Sequence, residues 1–346
     1  MGARVGHSDD KSPGTVEPPS KARVLVLGAT GTIGRATVQK LVADGHEVVA
    51  YVRQRAPRAG AHGDGLAELT GASLRNGAVD SAEAILDHAI AGERFEAVIS
   101  CLASRTGAPN DAWAIDHRAH VNALNAAKRS GISKFVLVSA LCVQRPQLAF
   151  QSAKLAFEAE LIASGLTYAI VRPTAYFKSL LGQIERVKQG KPFLVFGDGQ
   201  LTRCKPISDH DLAAYVVGCL HDQSRHNRIL PIGGPDPAFT PLQQAERLFD
   251  VLGRPMRVRH VPVALIDGIV AGLSLARQVV PSLGDKAELA RIGRYYATQS
   301  MVHFDAVAGR YDAGQTPSTG TQSFFAHQEA VVRGQIKVER GAHAVF

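Results

Sequence analysis

A doubly wound parallel α/β sheet, followed by a smaller and mainly helical C-terminal part, is the fold this sequence predicts. Three observations carry the prediction. Short apolar runs alternate with helix-length stretches from Arg23 to Val171, the first run ends in a glycine-rich turn, and the alternation stops after Pro173.

The elements follow in order. Val24-Leu25-Val26-Leu27 is an apolar run ending at Gly28, as a strand buried on both faces should be. A helix is expected from the glycine turn to about residue 44, where Gly45 stops it, and residues 47–52 read as the second strand. Ala97-Val98-Ile99 and Phe135-Val136-Leu137-Val138 give two more strands, with a helical stretch over 111–129 between them. A helix over about 149–164 leads to the strand Tyr168-Ala169-Ile170-Val171. Beyond Pro173, helices mix with Gly-Pro loops and short apolar runs. Within that region residues 261–280 are nearly all apolar, with Val263, Ile266, Val270 and Leu273 at helical spacing and Asp267 and Arg277 as interruptions. The first expectation is a core or pocket-lining helix; the second is an interfacial helix making weak peripheral membrane contact.

Composition narrows the function classes. At 346 residues, 45% apolar and 20% charged, the chain buries a large core and has room for roughly two domains. The four cysteines (Cys101, Cys142, Cys204, Cys219) are scattered, with no zinc, redox or iron–sulfur spacing, so no metal is expected. A net charge of +8 has no basic run with interleaved aromatics, which argues against nucleic acid. A phosphorylated cofactor and a carboxylate-bearing small-molecule substrate explain it more simply. Residues 1–20 hold no apolar run and are short and acidic for an organelle transit peptide, so a disordered tail on a bacterial-style cytoplasmic protein is expected. No stretch of about 20 uncharged apolar residues predicts a transmembrane helix.

Gly28-Ala29-Thr30-Gly31-Thr32-Ile33-Gly34 follows the first strand and opens a helix. In that setting the first glycine makes the tight turn, the second admits the pyrophosphate, and the third lets helix and strand pack closely. This is the dinucleotide site of a Rossmann-type sheet. An NAD site usually ends its second strand with an acidic residue. Here it ends at Arg53, with Arg55 and Arg58 beyond, which favours the 2′-phosphate of NADPH over a plain solvated loop. Cys101, Leu102 and Ala103 follow the next strand, where the cofactor passes close to backbone. The expected division is a tail over 1–20, an NADP-binding domain over 21–175 and a substrate-binding part over 176–346, with 204–232 returning to the sheet.

Phe150-Gln151-Ser152-Ala153-Lys154 resembles the Tyr-x-x-x-Lys centre of the short-chain dehydrogenase/reductase family, with phenylalanine in place of the proton-donating tyrosine. The resemblance implies that Lys154 holds the nicotinamide ribose, that Ser139 stands where the family carries its catalytic serine, and that Pro173 and Thr174 lie in the turn over the nicotinamide. The departure at Phe150 is shared by a narrower group. Ala112-Trp113-Ala114-Ile115-Asp116-His117, Tyr176-Phe177-Lys178-Ser179-Leu180 and Ala290-Arg291-Ile292-Gly293-Arg294-Tyr295-Tyr296 resemble the NADPH-dependent 3,8-divinyl chlorophyllide 8-vinyl-reductase family of (bacterio)chlorophyll synthesis.

That resemblance implies reduction of a vinyl group conjugated to a tetrapyrrole, with Phe150 facing the macrocycle. Its flat apolar ring and propionate call for a greasy slot with a cation at the rim. Trp113, Tyr176, Phe177, Lys178, Arg294, Tyr295 and Tyr296 are the candidates, although Trp113 is first of all a core residue by type. His117 and His120 share a helix without a third ligand, so they read as packing or surface groups. Two alternatives stand beside this reading: a non-catalytic NADP-sensing regulator of the NmrA-like kind, and an isoflavone-reductase-like reductase of a smaller conjugated alkene.

Overall fold

The computed structural model describes residues 21–53 and 66–337. The expected tail over 1–20 and the arginines Arg55 and Arg58 lie outside the described residues.

Seven parallel strands form the central sheet: β1 (Arg23–Leu27), β2 (Glu47–Val52), β3 (Ser73–Asn76), β4 (Ala97–Ser100), β5 (Lys134–Val138), β6 (Thr167–Pro173) and, after the short strand β7 (Phe193–Phe196), β8 (Arg228–Ile232). Their spatial order is β3-β2-β1-β4-β5-β6-β8. Strand β1 shows why this sheet is buried on both faces. Val24 and Val26 point into one apolar cluster and Leu25 and Leu27 into a second on the opposite side. Each such side chain contributes about 1.5–3 kcal/mol when fully buried, and the two layers hold the strand ends in fixed register.

Helix α1 (Thr32–Ala43) follows β1, and the short α2 (Ala82–Ile85) follows β3. Between β4 and β5 one helical stretch runs through α3 (Pro109–Ala112), a π-helical turn (Trp113–Ala119) and α4 (His120–Arg129). Helix α5 (Ala149–Ile162) joins β5 to β6. Its first turn is tied down by Gln151, whose Oε1 accepts from the Gln147 and Leu148 amides at 2.7 and 3.0 Å while its Nε2 donates to the Cys142 carbonyl.

After β6 come α6 (Phe177–Leu180), α7 (Ile184–Lys188) and, past β7, α8 (Asp209–Gly218), which packs on α1. Helix α9 (Pro241–Leu252) and strand β9 (Val258–Val261) follow β8, with β9 pairing parallel to β7. Helices α10 (Val263–Ala276) and α11 (Gly284–Thr298), the hairpin of β10 (His303–Asp305) and β11 (Arg310–Asp312), and α12 (Phe324–Val332) complete the fold. Helix α10 corrects an expectation. It packs on α11 and has no buried residue, with Leu265, Ile269 and Leu275 exposed, so it is not a core helix.

Candidate functional site

The strand order reverses between β1 and β4, and the crevice beyond their C-terminal ends is where doubly wound sheets bind ligands. Gly28 leaves β1 at φ +73°, and a Cβ there would sit 2.7 Å from the carbonyl carbon and oxygen of Cys101. A Cβ on Gly34 would lie 2.1 Å from the Gly28 carbonyl oxygen. The two glycines therefore let the turn, α1 and the end of β4 nest against one another. Helix α1 starts at Thr32 with Gly31 as its N-cap, without a side-chain cap or an acidic residue in its first turn. Its unpaired amides and positive dipole end suit a phosphate. This cradle fits a dinucleotide.

Lys178 completes it from an unexpected direction. Expected at the substrate, its Nζ lies 3.5 Å from the Thr32 hydroxyl, bringing a cation from α6 to the α1 N-terminus. Thr30 and Ile33 lie in the same turn. Arg53 stands exposed just past β2. The Cys101 amide donates to the Leu27 carbonyl at 2.9 Å, its thiol lies 3.8 Å from Thr37 Oγ1, and burial pushes that thiol up to about 12. Leu102 is half-buried and Ala103 exposed beside it. Pro173 closes β6 opposite Ile232, and the Thr174 hydroxyl donates to the Lys205 carbonyl.

Phe150, Lys154 and Glu158 recur every four residues along one stripe of α5. Lys154 Nζ lies 2.9 Å from Asp116 Oδ1, with the lysine side chain 10% and the aspartate side chain 0% exposed. Asp116 Oδ1 also accepts from the Ser104 amide at 3.3 Å, while Oδ2 is buried without a partner among the described residues. One turn on, His120 Nδ1 meets the Ile115 carbonyl at 2.9 Å and its ring packs on Phe157. Burial, then the nearby Lys154 charge, pushes His120 down to about 4. His117 pairs instead with Glu160 at the surface.

Ser139 lies buried just past the end of β5. Its hydroxyl donates to Glu158 Oε1 at 2.5 Å, and Glu158 also accepts from Arg172 Nε at 3.2 Å and from Nη2. The proton of Ser139 is thus held by a buried carboxylate.

Phe150 packs, half-buried, against Cys142, Leu148, Ile292, Tyr295 and Met301, with Ala140, Ala175 and Tyr296 at the edge. Helix α11 supplies the roof of this apolar patch. Gly107 fits beneath it, where a Cβ would come within 2.8 Å of Ile292 Cδ1 and 3.5 Å of Phe150 Cδ1. The Tyr295 hydroxyl is committed, donating to the Cys142 carbonyl at 2.9 Å and facing that of Arg145 at 3.3 Å. The Tyr296 hydroxyl reaches the Cys142 thiol at 4.0 Å. Tyr176 is half-buried near Cys101 and Cys142, and burial raises its hydroxyl.

Three other expected substrate residues lie elsewhere. Phe177 is buried against Phe324 and His327 in the C-terminal core, because α6 turns that face inward. Arg294 ion-pairs with Asp267, tying α11 to α10. Trp113 is 41% exposed, edge-on to His117, and is neither core nor part of the Phe150 cluster. Asp116 and Glu158 were missed from the sequence. The available signal was an acidic residue inside an apolar helix, and for Glu158 its four-residue spacing from Lys154.

A glycine cradle at the sheet's switch point, beside a buried lysine and an apolar patch, defines a dinucleotide-dependent oxidoreductase. Residues 28–223 match the family described as NAD(P)H-binding. A solved structure similar in fold is the binary complex of leucoanthocyanidin reductase with NADPH from Vitis vinifera, with 15% identity, TM-score 0.65, and 90% of this chain and 99% of that one covered. The chloroplastic divinyl chlorophyllide a 8-vinyl-reductase of Oryza sativa subsp. indica is 45% identical over 95% of this chain and 83% of its own length. That of Arabidopsis thaliana is 44% identical over 89% and 77%. The chain belongs to the divinyl chlorophyllide a 8-vinyl-reductase family. This family has reductases as its members, so the regulator reading falls away.

Proposed function

We propose that this protein uses NADPH to reduce the 8-vinyl group of 3,8-divinyl (proto)chlorophyllide to ethyl, in (bacterio)chlorophyll synthesis. The observation that carries this reading is Phe150 in an apolar patch one helical turn from buried Lys154. A carbonyl acceptor gathers charge on one oxygen and calls for a positioned donor there. Hydride addition to the outer vinyl carbon leaves charge on the inner carbon, from which it spreads into the macrocycle. The substrate is its own electron sink, and an apolar ring at position 150 suits it.

The nicotinamide, when bound, supplies the hydride. The turn at Gly28, Gly31 and Gly34, with Lys178, holds the pyrophosphate, and Arg53 meets the 2′-phosphate. Lys154 holds the nicotinamide ribose hydroxyls while Asp116 keeps its ammonium aimed. Phe150, with Ile292 above it, packs against the macrocycle and excludes water. The test is pure protein with divinyl chlorophyllide and NADPH, followed for the monovinyl pigment. Formation of that pigment is expected; turnover of a smaller conjugated alkene alone would overturn the reading.

A cytoplasmic protein touching an anionic photosynthetic membrane through α10 fits the same reading. No helix among the described residues is long and apolar enough to cross a membrane. The apolar side of α10 is nevertheless exposed, and Val279 just past it is 84% exposed. Residues 254–294 carry seven Lys and Arg against three Asp and Glu, a net +4 that suits anionic headgroups. Cosedimentation with phosphatidylglycerol vesicles, reduced by Leu275→Glu and absent with phosphatidylcholine, is the expected result. Equal sedimentation of wild type and variant would remove the contact.

A further inference from the structure

We infer that Tyr296, reaching in from α11, is the acid that delivers the proton in this reduction. The inference rests on the vinyl-reduction reading and names the group that reading leaves open. Phe150 has no proton to give, and Ser139 has its hydroxyl tied to Glu158. Two further tyrosines approach the same patch: a hydrogen bond sets Tyr295 apart from Tyr296, and its place in the core sets Tyr176 apart.

Tyr295 is buried with its hydroxyl proton donated to the Cys142 carbonyl, so it fastens α11 to the loop after β5. Tyr176 lies nearer the cofactor turn, packed against the cluster that includes Ala29 and Ile33. Tyr296 sits at the edge of the patch that also holds Phe150, and its hydroxyl has only the Cys142 thiol as partner among the described residues, at 4.0 Å. A thiol is a weak acceptor, so the proton is loosely held and free to move toward a stronger base. Burial raises the Tyr296 hydroxyl well above the usual tyrosine range, so it stays protonated between turnovers. Tyr296 therefore restores from another element what position 150 lacks.

The step balances. The hydride and its electron pair form a C–H bond at the outer vinyl carbon, and the π bond breaks to leave a carbanion at the inner carbon. Tyr296 Oη gives its proton to that carbon, forming the second C–H bond, and the phenolate is reprotonated by water. The vinyl group gains two electrons and becomes ethyl, and NADPH is oxidised.

The experiment compares wild type, Tyr296→Phe and Tyr295→Phe with divinyl chlorophyllide and NADPH in D2O. Wild-type turnover itself tests the vinyl reading, and the variants test the role of Tyr296. Wild type should place one deuterium at the inner carbon with a single configuration. Tyr296→Phe should turn over at least about 100-fold more slowly, the range of a lost general acid, bind NADPH within about twofold of wild type, and give both configurations. Tyr296→His, which returns a donor, should recover part of the rate below about pH 6.5, the histidine range. Wild-type rates in Tyr296→Phe, or slow turnover with a single configuration kept, would overturn the inference. So would a loss of activity in Tyr296→Phe that Tyr296→His does not relieve at any pH.

Discussion

Replacing Asp116 by Asn is the sharpest probe of the buried pair beneath the site. The change keeps shape and leaves one carbonyl oxygen to accept from Lys154, but removes the charge that faces an ammonium at 2.9 Å. Because the Asp116 side chain is fully buried and that of Lys154 is 10% exposed, water cannot replace the lost partner. Breaking such a pair costs about 3–5 kcal/mol, and the retained hydrogen bond puts this case near 3 kcal/mol. For a chain of 346 residues that corresponds to a fall in Tm of roughly 4 °C. Thermal melts with and without NADPH read the effect. The variant should also bind NADPH several-fold more weakly, because the ammonium is no longer aimed. Melting within about 1 °C of wild type together with unchanged NADPH affinity would refute the reasoning.

Three further outcomes are expected. His120 is held down from 6.5 to about 4 by burial first and the Lys154 charge second, so the unfolded chain binds more protons between those values. Stability should therefore fall as pH drops through that window by roughly 3 kcal/mol, and urea titrations of His120→Gln should show a flatter acid limb. Gly34→Ala should abolish NADPH binding in a fluorescence titration, since its Cβ would meet the Gly28 carbonyl at 2.1 Å. Lys178→Met should weaken NADPH binding about tenfold at low salt and less at high salt, as expected for a partly exposed phosphate contact; an unchanged affinity would return Lys178 to the substrate.

The sheet was legible because its inner strands are apolar on both faces, and the glycine turn fixes where the first of them ends. Strand β3 was not. Its Ser73-Leu74-Arg75-Asn76 sequence lies at the sheet edge, mostly exposed, so no apolar run marks it. Helix α10 misled for the opposite reason, since its apolar residues stay exposed on a helix that packs on α11. At the site, the four-residue spacing of Phe150 and Lys154 could be read directly. The partner of Lys154 could not, because Asp116 lies on a π-helical turn 38 positions earlier and only the fold brings them together. The same limit hid the tie between Ser139 and Glu158, and the difference between Tyr295 and Tyr296.

The central claim is that the acceptor is a conjugated carbon, with the hydride going to its outer end. Turnover of divinyl chlorophyllide with NADPH deuterated at the transferable position of the nicotinamide tests it directly, with the product read by NMR. One deuterium in the methyl group of the new 8-ethyl substituent is the predicted result. Deuterium at the inner methylene carbon, or on a reduced carbonyl, would contradict it.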